Sequence, residues 1–170
     1  MAFGTPDKFA YARALTAALA YLMVHQHDAP GLILFGDRAI QALPCGSQRH
    51  HLDELLATLA RATASGKTQE LPELARTVAT FSRRGLAVVV SDLLSPDKVV
   101  FELLRQLHRQ RQEVLVFHLV APEEADFDFH EDYEIEDIET EERLAVHAGA
   151  FRQEYLRRFG AFLAEARQQC

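Results

Sequence analysis

Two aspartates stand where an α/β protein places its chemistry. Asp37 follows the apolar run Leu32-Ile33-Leu34-Phe35, and Asp92 follows the run Leu86-Ala87-Val88-Val89-Val90-Ser91. Ligands of open α/β sheets collect outside the carboxyl ends of the strands. A third polar cluster, Ser65-Gly66-Lys67-Thr68, lies before the helix that precedes the second run. A strand-end carboxylate and a loop hydroxyl are hard oxygen donors, suited to Mg2+ that keeps several waters. Two such donors do not make a stable site alone. The plainer reading of Asp92 is a cap for the loop or helix that follows.

The remaining polar residues are weaker candidates. Cys45 with His50 and His51 suggests zinc, but adjacent histidines at a helix start cannot both face one ion, and no fourth ligand is near. His118 lies in an apolar strand and reads as a hydrogen-bonded core residue. Asp92 is also the natural nucleophile or metal ligand of a hydrolase. Phosphotransferases built on such an Asp commonly carry a second carboxylate two residues on, and Leu94 stands there instead. There is no Gly-rich phosphate loop, no nucleophile elbow and no nucleophile with a matched base. An enzyme is not expected.

The elements that must position these residues follow from periodicity. Residues 7–27 read as a helix, with Phe9, Ala12, Leu15, Ala18, Leu19 and Leu22 at helical spacing. Pro30-Gly31 breaks it. Residues 32–35 then form a short strand covered on both faces, and residues 39–43 alternate like an edge or hairpin strand. Residues 51–61 are a second amphipathic helix on Leu52, Leu55, Leu56 and Leu59. After the loop 62–68, residues 70–84 return to helix, which Gly85 stops. Leu86–Ser91 is the clearest strand, β-branched and continuous. A helix over 96–111 buries Val100, Leu103, Leu104 and Leu107, and residues 113–120 form another apolar strand. Residues 133–138 and 143–146 fit a hairpin around Glu139-Thr140-Glu141-Glu142. A helix over 150–167 turns Phe151, Tyr155, Phe159, Phe162 and Leu163 inward. Alternating helices and doubly apolar strands predict an α/β fold: three layers, a mostly parallel sheet and helices on both faces.

Composition narrows the function classes. One domain is expected of 170 residues, 48% apolar and 25% charged. The net charge of −7 opposes broad binding to nucleic-acid phosphates. No apolar run reaches the roughly 18–20 residues of a membrane span. The first residues lack the pattern of a secretory signal, so a cytoplasmic location is the default. Cys45 and Cys170 give no disulfide framework. Residues 123–142 hold 12 of the 25 acidic side chains and no Lys or Arg, a solvated face or a docking surface for a basic partner.

A resemblance now adds to this reading. Asp7-Lys8-Phe9-Ala10-Tyr11-Ala12-Arg13 and Gly31-Leu32-Ile33-Leu34-Phe35-Gly36-Asp37-Arg38 resemble the region after the metal motif of DUF58 proteins. Gly66-Lys67-Thr68, Gly85 through Leu93, Val114 through Leu119 and Ile135 through Thr140 follow in the same order. The resemblance implies a von Willebrand factor A-like (Rossmann-like) domain over residues 1–170, and a protein-binding role without catalysis. It further implies a metal-ion-dependent adhesion site for Mg2+, with Thr68 and Asp92 as its ligands in this chain. Met1 matches the Met that follows the family's Asp-x-Ser-x-Ser motif, and that motif is absent from the 170 residues. The expectation is therefore an incomplete domain, truncated at both ends and lacking its first central strand, with no metal bound unless the motif precedes it. By the same resemblance the partner is a MoxR-type AAA+ ATPase. The alternative is a degenerate, metal-free scaffold that acts by surface packing.

Overall fold

A computed structural model describes residues 7–35, 41–64, 76–78, 84–94, 99–127, 133–136, 143–146 and 148–170. The chain divides into two compact units, Met1–Leu119 and Val120–Cys170.

The first unit opens with helix α1 (Lys8–His25). Asp7 caps it: the carboxylate accepts a hydrogen bond from Phe9 N at 2.7 Å, satisfying one of the amides a helix start leaves without a partner. Ala12, Ala20 and Val24 face inward, while Tyr11, Tyr21 and Leu22 are half-exposed or more. Of the residues expected to point inward, Ala18 and Leu22 face solvent instead. The reason lies in composition. This helix is apolar nearly all round, so spacing alone cannot tell which stripe meets the core.

Strand β1 (Leu32–Leu34) pairs antiparallel with β2 (Gln41–Leu43), Ile33 opposite Ala42. The antiparallel pairing agrees with the reading of residues 39–43 as an edge or hairpin strand, and among the described residues β1 has an antiparallel neighbour rather than a parallel one. Helix α2 (Arg49–Arg61) lies against α1. Ala20, Leu32, Leu55 and Leu59 form a buried cluster flanked by Ala17, Leu34, Leu43 and Leu52. Arg13 stitches the two helices together. Its Nη1 donates to the carbonyls of Ala60 and Ala62, at 3.4 and 3.3 Å, where α2 ends and carbonyls lack helical partners.

Strands β3 (Leu86–Ser91) and β4 (Glu113–His118) are the parallel pair, in register from Leu86–Glu113 to Ser91–His118. Helix α3 (Val99–Arg109) provides the crossover that parallel strands require, and it packs on β4. Its buried set is the expected Val100, Leu103, Leu104 and Leu107 together with Phe101. Double burial of the strands does not hold along their whole length. Val89 and Ser91 are buried, whereas Leu86 and Leu115 are 51% and 43% exposed. A two-stranded ribbon shields one side more than the other, and the period-2 alternation of strands makes that visible. Residues 76–78 are helical, inside the helix expected over 70–84.

The second unit begins with the short helix α4 (Pro122–Asp126), where Glu124 Oε2 accepts from Ala121 N at 2.9 Å. Strands β5 (Tyr133–Glu136) and β6 (Arg143–Val146) form the expected antiparallel hairpin, Tyr133 opposite Val146. Helix α5 (Ala148–Gln169) ends the chain. Phe127, in the left-handed region at φ 46°, lies 4.5 Å from the Tyr155 ring, which stacks on Phe159 at 5.7 Å. Arg152 holds this corner through the carbonyls of Asp126 and Phe127 at 3.1 and 3.3 Å.

On the solvent side of α5, Arg157 and Arg158 both bond Glu154 and hold its carboxyl down to about 2. A carboxyl lowered on folding adds stability above its ordinary range of about 4.5, and that contribution fades as pH falls toward 2. The Glu154 carboxyl carbon should therefore titrate near pH 2 by NMR. Replacing both arginines with Gln should return the midpoint to the ordinary range, and a wild-type midpoint near 4.5 would show that the fork does not persist in solution.

Candidate functional site

The carboxyl end of β3 brings together several polar groups of the first unit. Ser91 is buried, and its Oγ accepts from Leu93 N at 3.0 Å; Asp92 Oδ1 accepts from Leu94 N at 3.2 Å. Two successive side-chain-to-backbone bonds of this kind replace the ladder where a strand stops. Between them Leu93 is driven to φ 58°, a conformation that costs a leucine about 1–2 kcal/mol. Burial of its side chain to 3% exposure offsets that cost. Leu94 emerges 56% exposed, a large apolar side chain at the lip of the strand end.

From β4, His118 sets its Nε2 3.1 Å from the Asp92 carbonyl oxygen. A carbonyl only accepts, so Nε2 carries the proton. His118 is thus a half-buried hydrogen-bonding residue, as its apolar strand suggested.

Asp92 meets a charge that sequence reasoning did not single out. Lys8 Nζ lies 3.5 Å from Asp92 Oδ2, with side-chain exposures of 5% and 13%. A signal was available. Lys8 is the first residue of α1, where the helix dipole disfavours a cation, and the first turn contains no acidic residue. A lysine buried at that position requires a carboxylate from elsewhere in the fold.

Of the two expected metal ligands, Asp92 is at the strand end as anticipated, and Thr68 lies outside the described residues, as does Asp37. The described surroundings of Asp92 fit an ammonium better than a divalent ion. One carboxylate oxygen faces Lys8 and the other holds a backbone amide. No group of three or more His, Cys, Asp or Glu side chains that could hold a metal occurs among the described residues. That holds for Cys45 and the two histidines as well. Cys45 is exposed, while the buried His51 bonds the Pro30 carbonyl through Nε2 at 2.8 Å. The His51 ring fits only because residue 46 is glycine; a Cβ there would stand 2.8 Å from its Cγ.

No helix among the described residues is long and apolar enough to cross a membrane. No curated protein matches the chain, and no solved structure does. A family match spans residues 1–164, against the family described as protein of unknown function DUF58. With nearly all of its length inside that match, and helices around a parallel strand pair, the chain belongs to the DUF58 family.

Proposed function

We propose that this chain is a non-enzymatic protein-binding module with a von Willebrand factor A-like fold, whose partner docks at the carboxyl end of β3. In this reading β3 and β4 belong to a larger, mostly parallel sheet in three layers, with a further central strand beside β3. The supporting observation is the lip formed by Asp92, Leu93 and Leu94. Leu93 holds a left-handed backbone conformation there, and a 56%-exposed leucine projects beside an ion pair. Strained segments cluster at binding sites, and a partner that covers an exposed leucine gains the free energy of removing it from water.

The family resemblance makes the partner a MoxR-type AAA+ ATPase in the cytoplasm, with this chain as its adaptor. Leu94→Asp tests the docking face. Because the side chain is exposed, the substitution should leave the melting temperature within about 1 °C. It should weaken binding to the purified ATPase encoded nearest the chain's gene by tenfold or more. Unchanged affinity would remove the β3 end from the interface.

The resemblance also leaves a metal-dependent form of this reading, in which Thr68 and Asp92 would supply oxygens to Mg2+. The Lys8–Asp92 contact favours the metal-free form. Partner binding that persists in excess chelator supports the latter, and binding abolished by chelator and restored by Mg2+ supports the former. Turnover in a phosphatase or esterase screen that disappears with Asp92→Ala would replace both with an enzyme.

A further inference from the structure

We infer that the Lys8 ammonium is the resident cation of the β3 strand end, a protein-borne charge standing where a divalent ion would otherwise neutralise Asp92. This deepens the metal-free form of the proposed function and rests on it for any effect at the partner, but the measurements below do not involve a partner.

Three observations carry it. Lys8 is 5% exposed, so its charge needs a local counterion, and Asp92 Oδ2 supplies one at 3.5 Å. The distance exceeds the roughly 2.7–2.9 Å of a charge-assisted hydrogen bond, so the two groups interact as a charge pair across a small gap. Finally, the ammonium enters from outside the strand-end loop. It rides on the first turn of α1, a rigid element whose Asp7 cap fixes its start.

Geometry then makes metal and lysine exclusive. A Mg2+ ion sits about 2.0–2.1 Å from a carboxylate oxygen. Placed on Oδ2, it would share that oxygen with Nζ, and two cations there repel each other in a site with little water to screen them. Placed on Oδ1, it would displace the Leu94 amide bond that shapes the lip. Asp92 is therefore an oxygen donor already committed to a cation of its own chain. The same pairing couples α1 to β3, so that the position of the helix start and the shape of the lip change together.

Mn2+ is the probe, because it replaces Mg2+ at oxygen sites and broadens nearby proton signals. In the wild type, Mn2+ up to about tenfold molar excess should leave the His118 imidazole protons sharp, and neither chelator nor 10 mM Mg2+ should move the melting temperature by more than about 1 °C. Lys8→Gln keeps the length of the side chain and removes the charge. It should melt lower, regain part of the loss with Mg2+ or Mn2+, and show broadened His118 signals; Lys8→Gln/Asp92→Asn should lose both responses. Broadening of His118 in the wild type at equimolar Mn2+ overturns the inference whether or not the variants fold. So does a folded Lys8→Gln variant that is indifferent to divalent ions.

Discussion

Asp92→Ala should lower the stability of the protein by about 3 kcal/mol, because it removes the carboxylate that faces the buried Lys8 ammonium. The low end of the usual range for such a loss applies, since Asp92 retains 13% exposure. The substitution also removes the acceptor for Leu94 N, so the lip should loosen as the pair breaks. A neutral replacement of both partners, Lys8→Met/Asp92→Leu, should recover most of the loss, because a buried pair is rarely more stable than apolar groups of similar volume. With no tryptophan in the chain, urea unfolding is best followed by circular dichroism, with amide exchange at Val89 as the local reporter. A double variant as unstable as Asp92→Ala would mean that the carboxylate acts through the loop rather than through Lys8.

Leu55→Ala should destabilise the first unit by about 2–5 kcal/mol. Leu55 is 1% exposed and packs with Ala20, Leu32 and Leu59, two of them leucines that cannot collapse far into the space left behind. The contrast is Leu22→Ala. Leu22 is 53% exposed on the outer side of α1, and its loss should change stability by less than about 0.5 kcal/mol. Comparable losses in the two variants would mean that something covers the outer face of α1 in solution.

These two leucines also mark how far the sequence could be read. Leu55 was legible because α2 alternates apolar and charged residues, so only one stripe could face inward. In α1 the same method failed, since nearly every side is apolar and spacing carries no information about orientation. β3 was recognisable from its β-branched run, and the hairpin of β5 and β6 from its alternation. Which strands pair was not, because the apolar run over residues 32–35 suits a parallel or an antiparallel neighbour equally well. For the site, Asp92 followed from its place at a strand end. Lys8 did not, because its meaning depends on a contact between residues far apart in the chain, even though its position against the helix dipole was a usable warning. Thr68 lies outside the described residues, so its pairing with Asp92 remains a proposal.

The ion pair between α1 and the end of β3 also sets an order of events during synthesis. Chain growth at about 5–20 residues per second means that α1 leaves the ribosome on the order of ten seconds before Ser91 through Leu94. For that interval the nascent helix has neither its counter-charge nor its strand, and both of its greasy sides are open to water. Apolar surface left open in a growing chain is what holdase chaperones cover. Newly made chains should therefore depend on such a chaperone more than the finished protein's stability would suggest.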